Sequence, residues 1–532
     1  MKICLIAPPY PLEQAPSPPL GLCYVAAACE AAGAQVIILD YIVSRYTPEK
    51  LRDALADFKP DVVGATSVTM NFPAAAAILR DAKAADPGLI TMMGGPHVSF
   101  DAENTLNRNP AIDLICMGES ERTLAELLPV IGDRSAWHAV AGIAFREDGN
   151  LHVTEPRELI RDLDSLPLPA RHLLPLSRYQ ALGFPVSIIT SRGCPNRCIF
   201  CLGRRMVGQK VRHRSTARVV DEIEAILDYG FTRINIADDL FTANRRRVAD
   251  FCREIRARGL TVGWSAFSRV NTIDEEILVQ MRDAGCDAVS FGVESGNSDM
   301  LRRVRKGITL DQARDAVAAC RAVGVLPHAS FMVGLPGETA ETLADTRVFA
   351  AELGIDHGYH LLAPFPGTTV REHIEDYDLK VLSDDWEQYD ATHAVVRTSQ
   401  LGPEDLSGFV EDCYRPIRDS WAASRARYDA GTCSSEEYAN VDNYHRMQLI
   451  YRMLAEDLIE RYASGIPAGD DPITALAARI AGSADMDKSM VRRHIAPLVE
   501  KGLVKQEVSE GAGRWYWTHN NRVDRVKEAI GW

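Results

Sequence analysis

Hydrophobic positions along this chain follow two rhythms. Short aliphatic and β-branched runs alternate with longer segments whose apolar residues recur every three to four positions. Runs at 2–8, 35–39, 62–68, 89–93 and 113–117 predict strands, and segments 20–32, 48–58 and 73–85 predict helices between them. Gly33 stops the first helix, and Pro60 and Pro87 follow the ends of the next two. This alternation predicts an open, doubly wound parallel sheet covered on both faces. Ligands then bind beyond the C-terminal strand ends, where the strand order reverses.

Residues 156–185 are rich in Pro, Leu and Arg and read as an extended linker. A second series starts at Val186, with strands at 187–191, 233–237, 261–266, 288–292, 327–333 and 357–362. Helices at 217–229, 245–258, 274–284, 310–323 and 341–353 alternate with them, which predicts a partial or full βα barrel with its chemistry at the C-terminal strand ends. Residues 403–463 turn helical. Two helices at 473–481 and 488–502, then strands at 503–508 and 514–518 around Gly511-Ala512-Gly513, give the order of a winged helix. The expected α/β architecture is a Rossmann-like domain (1–155), the linker (156–185), the barrel (186–390), a helical segment (391–465) and a winged-helix-like domain (466–532).

Composition narrows the function. At 532 residues the chain exceeds one ordinary domain, and no apolar run is long enough for a membrane span. The first residues read as a strand rather than a secretory signal, so a cytoplasmic location is expected. With 59 Lys and Arg against 73 Asp and Glu, the net charge of −14 argues against nucleic acid as a partner of the whole molecule. The winged-helix region is nearly balanced, which favours a structural role there, although Arg492, Arg493 and His494 together leave DNA contact open.

Twelve cysteines are too sparse for a disulfide scaffold. Most are scattered, and Cys413 and Cys433 have no paired cysteine at metal spacing. Three stand together in Ser191-Arg192-Gly193-Cys194-Pro195-Asn196-Arg197-Cys198-Ile199-Phe200-Cys201. Cys194, Cys198 and Cys201 in C-x₃-C-x₂-C spacing after a strand suit an iron–sulfur cluster. Zinc usually takes four ligands, and the nearest fourth candidate, His213, is off finger spacing. A cubane held by three thiolates leaves one iron open. In the first domain, the strand-end loops carrying Pro9, Thr66, Ser67, Gly94, Gly95, Pro96, Gly118 and Glu119 let a bulky planar ligand approach the backbone.

The cysteine motif, with an aromatic before its last Cys, resembles that of the radical S-adenosylmethionine (SAM) enzymes. Asn235-Ile236-Ala237-Asp238-Asp239, Gly292-Val293-Glu294-Ser295-Gly296, Gly334-Leu335-Pro336-Gly337-Glu338-Thr339 and Pro364-Phe365-Pro366-Gly367-Thr368 resemble that family's later strand ends, in family order. Gly94-Gly95-Pro96-His97 and Gly118-Glu119-Ser120-Glu121 resemble the cobalamin-binding domain that precedes the barrel in one subclass. The Asp-x-His-x-x-Gly loop of methionine-synthase-type domains is missing, so the resemblance implies cobalamin held without a histidine ligand, with His97 structural beside it.

The resemblance implies three cofactors: a 4Fe–4S cluster, SAM and cobalamin. It implies that Asp238 or Asp239 accepts the SAM ammonium, Glu294 and Ser295 the ribose hydroxyls, and Ser268 and Arg269 hold the carboxylate. Gly334 then lies against adenine with Phe200 beside it, and Arg192 and Arg197 flank the cluster. The implied reaction is reductive SAM cleavage to a 5′-deoxyadenosyl radical, hydrogen abstraction and methyl transfer from methylcobalamin to a small-molecule substrate. A flavodoxin- or ferredoxin-type protein would donate the electron. A non-methylating oxidative cyclase or rearrangement enzyme of the same subclass shares every motif. A cobalamin-sensing DNA-binding regulator leaves the cysteine loop without a role. Tyr359, His360, Tyr389 and His393 are the polar aromatic candidates for the substrate pocket.

Overall fold

The structure, a computed structural model, describes residues 1–467, 471–509 and 512–518; the expected turn residue Gly511 and the tail 519–532 lie outside them. The first sheet holds β1 (Lys2–Ala7), β2 (Gln35–Asp40), β3 (Val62–Thr66), β4 (Ile90–Gly94) and β5 (Leu114–Cys116), all parallel. Strand order is β2-β1-β3-β4-β5, so the winding reverses between β1 and β3. β1 is buried almost throughout because helices cover both faces, which explains its unbroken apolar run.

The sheet is longer than expected. β6 (Ile143–Glu147) and β7 (Asn150–Val153) add an antiparallel hairpin to its edge. Asp148 and Gly149 turn it with φ of 50° and 78°, the doubly left-handed pair that a two-residue hairpin requires. Residues 156–185 also depart from an extended linker. They end in a buried helix, Leu176–Leu182, closed by Gly183 at φ 78°. From that helix the Tyr179 hydroxyl donates to Asp40 at 2.7 Å, and Arg178 donates to the Val43 carbonyl at 2.8 Å and pairs with Glu460.

The second sheet starts with β8 (Val186–Ile188). A two-residue antiparallel pair, β9 (Ser191–Arg192) and β10 (Arg212–His213), brackets the cysteine loop. β11 (Arg233–Ile236), β12 (Gly263–Ser268), β13 (Cys286–Glu294), β14 (Leu326–Val333) and β15 (Asp356–Leu361) complete a parallel sheet ordered β15-β14-β13-β12-β11-β8. β8 and β15 do not pair, so the barrel is partial. The outer face packs on its helices through edge-to-face contacts among Phe241, Phe251 and Trp264, with centroids 5.6–5.8 Å apart.

Helices Pro403–Asp429 and Ser435–Ala455 follow. The first covers the free edge of β15: Phe409 packs on Tyr359, and the Tyr359 N–H donates to the Tyr414 hydroxyl at 2.9 Å. Beyond them, helices Pro472–Ala484 and Lys488–Glu500 and strands Val504–Ser509 and Ala512–Trp517 keep the winged-helix order, with Ile466–Pro467 as a third strand. Its basic trio contacts this same chain: Arg493 and His494 face Asp442 at 2.9 and 3.4 Å, and Arg492 pairs with Asp471 at 3.4 Å. No described helix is long and apolar enough to cross a membrane.

Two predictions come from buried polar groups. Burial pushes the Asp40 carboxyl up to about 6 even with the Tyr179 hydrogen bond. Tyr179→Phe leaves that carboxylate short of a donor and should cost roughly 1–3 kcal/mol, read as a lower thermal midpoint. His97 is enclosed between Phe72 and Trp386, with ring centroids 4.3 and 5.0 Å away, and burial pulls its pKa down to about 4. A base depressed on folding gives stability that is complete above about pH 6.5 and lost as pH falls toward 4. His97→Phe should remove about 2–3 kcal/mol of that acid-side loss, measured as the difference between wild-type and variant melting profiles.

Candidate functional site

Two cavities open at the C-terminal ends of the two sheets. The first, about 340 Å³, sits at the β1/β3 reversal. Leu5, Gly64 and Met92 form its apolar floor, and Leu22, Val25 and Leu124 wall it from helices Leu20–Ala31 and Ser120–Leu127. Thr66, Gly94, Gly95, Pro96, Gly118 and Glu119 line it. Gly95 is dictated by close approach: at φ 110° its Cβ would meet the Ser67 carbonyl at 2.3 Å. Ser67 itself is buried outside the lining, and His97 lies away from it with Nδ1 3.3 Å from Thr69. Pro9 lines a separate cavity with Tyr10 and Tyr451.

The barrel closes the far side of this cavity through Ser191, Arg192, Met206, Val207 and Asp239. Glu119 accepts from both terminal nitrogens of Arg212, at 2.8 and 2.7 Å, and from the Ile160 N–H at 2.8 Å. Arg192 donates to Glu121 at 2.6 Å, lies 3.2 Å from Glu119 and stacks over Tyr24. Burial works against the Glu119 charge, but Arg212, the Ile160 N–H and Arg192 outweigh it and hold the carboxyl below its usual range. Arg192 is therefore turned to the first domain rather than to the thiols, and Arg197 is exposed.

The second cavity, about 200 Å³, is lined by Cys194, Cys198 and Cys201 together with Asn196, Phe200, Arg204, Phe267, Ser268, Arg269, Glu294 and Lys306. Asn196 Nδ2 donates to Cys194 Sγ at 3.3 Å, and Arg269 Nη1 to Cys198 Sγ at 3.7 Å. Such donors moderate the charge of cluster-bound sulfur. Among the described residues no three His, Cys, Asp or Glu groups converge on one point as a single ion requires. The thiols border a cavity instead, which suits a multi-atom group. Donor set and space both fit an iron–sulfur cluster with an organic ligand beside it.

The other sequence candidates divide. Asp238 is buried, accepting from the Thr190 N–H, the Thr190 hydroxyl and the Ser191 hydroxyl, each at 2.6 Å; it braces the strand end. Burial raises its pKa and that of Asp239. Asp239 points the other way and lines both cavities. Glu294 sits at a bulge with φ 75° and is paired with Lys306 at 2.6 Å. Ser268 is joined to Thr242 at 2.6 Å. Ser295 is turned to Thr346, and Gly334 donates its N–H to Glu338 and packs near Leu406, so neither lines the second cavity.

Tyr359 and Tyr389 are buried, His393 pairs with Asp390 at 3.0 Å, and His360 is exposed on β15. Sequence reasoning missed Asn196, Arg204, Phe267 and Lys306. Asn196 carried a usable signal, being a donor between two of the cysteines. Phe267 did too, since strand alternation puts it on the face opposite buried Ala266 and Ser268.

Comparison with known proteins agrees with this division. The B12 binding domain profile matches residues 14–128, and the radical SAM superfamily profile matches 188–350. An uncharacterized methyltransferase of Pyrococcus horikoshii is 34% identical over 424 residues, 78% of this chain and 92% of that protein. The anaerobic magnesium-protoporphyrin IX monomethyl ester cyclase of Rubrivivax gelatinosus is 31% identical over 413 residues, 75% of this chain and 73% of the cyclase. Two solved structures share the fold. The cobalamin-dependent SAM radical enzyme OxsB with aqua-cobalamin bound has a TM-score of 0.67 at 18% identity, covering 99% of this chain and 83% of that one. The radical SAM methyltransferase TsrM from Kitasatospora setae, with cobalamin and a 4Fe–4S cluster, has 0.63 at 21%, covering 72% and 81%. The chain belongs to the cobalamin-binding radical SAM enzymes, whose cofactors are a 4Fe–4S cluster, SAM and cobalamin.

Proposed function

We propose that this enzyme is a C-methyltransferase acting on a small-molecule substrate, with a flavodoxin- or ferredoxin-type protein as electron donor. The observation that carries the reading is the adjacency of the two cavities across the Asp239 wall, with three thiols on one side and the glycine-rich loops on the other. When bound, the cofactors supply radical and methyl-transfer chemistry. The residues supply position: Cys194, Cys198 and Cys201 hold the cluster, and Asn196 and Arg269 donate to its sulfurs. In this reading Ser268 and Arg269, which line the thiol cavity, hold the SAM carboxylate, Asp239 meets its amino group, and Phe200 lies beside its base. The Lys306–Glu294 pair borders the same space, and Phe267, 50% exposed into the barrel, offers an apolar face to substrate. In this reading Thr66, Gly94, Gly95, Pro96, Gly118 and Glu119, which line the first cavity, contact cobalamin.

The cyclase relative keeps a second reading in view, with oxidation or rearrangement in place of methylation. Product mass separates them: one added CH₂ marks methyl transfer, whereas inserted oxygen or lost hydrogens mark the other. In anaerobically reconstituted enzyme given SAM, reductant and lysate fractions, 5′-deoxyadenosine and S-adenosylhomocysteine should form together. Cys198→Ala should reduce 5′-deoxyadenosine to background while cobalamin uptake, followed by its visible absorbance, stays at the wild-type level. A Cys198→Ala enzyme that still forms 5′-deoxyadenosine overturns the cluster assignment.

A further inference from the structure

Four carboxylates line the two cavities, and three are neutralised within the chain. Glu119 has Arg212, Glu121 has Arg192, and Glu294 has Lys306. Asp239 accepts from backbone N–H groups, including that of Gly193 at 3.2 Å, and makes no ion pair among the described residues; the Arg212 guanidinium, engaged with Glu119, acts on it only at longer range. Arg204 lines the same cavity without pairing with it. The carboxylate lies close against Gly203, where an added Cβ would meet its Oδ1 at 2.5 Å. Asp239 is the residue common to the linings of both cavities. While the cavities contain water this charge is solvated, but ligands that fill them displace that water. An anion losing its hydration needs a cation in return.

We infer that Asp239 is a charge shared between the two cofactor sites, so that a cation bound on one side weakens the hold on a cation bound on the other. The inference rests on the assignment of both sites made above. SAM brings a sulfonium cation and an amino group to the thiol side. On the loop side, aquacobalamin is cationic and cyanocobalamin is neutral. One carboxylate serving two cations gives a negative coupling between the sites, and linkage makes it reciprocal. Asp239 is here a binding residue, and its effect is on affinity.

The test measures affinity without turnover. Cluster-loaded wild-type enzyme, kept oxidised so that SAM is not cleaved, is titrated with aquacobalamin and cyanocobalamin, with and without saturating SAM. Wild type should prefer aquacobalamin by about tenfold relative to the Asp239→Asn variant, and SAM should abolish most of that preference. Asp239→Asn should bind cyanocobalamin as wild type does and show no SAM effect on aquacobalamin. Asp239→Glu should retain both effects, which separates charge from shape. Equal preferences in wild type and Asp239→Asn, or a SAM effect that survives in Asp239→Asn, overturns the inference. Failure of wild type to take up either cobalamin overturns the site assignment instead.

Discussion

The structure depends on a buried clamp of two glutamates and two arginines. Glu119 stands on the turn after β5 and Glu121 in the first turn of helix Ser120–Leu127, and Arg192 and Arg212 stand at the two ends of the cysteine-bearing segment. Neither half is favourable alone: a guanidinium or carboxylate in such surroundings is costly to desolvate unless paired and hydrogen-bonded. The clamp meets that condition, with bidentate Arg212 contacts and an added backbone N–H on Glu119. Each domain thus stabilises a charged loop of the other. This contact, together with the docked helix Leu176–Leu182 of the intervening chain, ties the thiol-bearing loop to the glycine-rich loops.

The same contact changes the meaning of the first domain's acidic turn. In a free-standing nucleotide-type fold, that turn would meet only ligand. Here its carboxylates face the barrel, and the turn's backbone and small residues border the cavity. Asp238 and Asp239 divide labour in the same way. Consecutive strand-end side chains point to opposite sides, so one acid braces the segment after β8 through Thr190 and Ser191 while the other opens onto the cavities.

Much of this was legible in the sequence. β1 to β5 and the barrel strands follow apolar runs that are continuous because helices cover them, and the cysteine spacing states its own chemistry. What escaped notice falls into two kinds. The β6–β7 hairpin has its turn signal in Asp148-Gly149, but both flanking strands are short and β7 has no buried residue to mark it as a strand. Helix Leu176–Leu182 was hidden by proline-rich surroundings, although Gly183 supplied its stop. The clamp could not be read at all, since its partners lie 71 and 93 positions apart. Nor does the sequence say which way Glu294 faces: its left-handed φ and its pairing with Lys306 arise from a bulge that tertiary contacts impose.

An unclosed parallel sheet leaves a row of amide hydrogens and carbonyls ready to pair with any extended strand. In this molecule the long helix after the barrel sits along that row, and a phenol from it, Tyr414, takes the hydrogen of Tyr359. The helical arm is therefore a guard against self-association as much as an extension of the fold. Proteins of this design shortened after the last barrel strand would carry a sticky flank, and their tendency to clump would reflect the missing cover rather than a badly formed core.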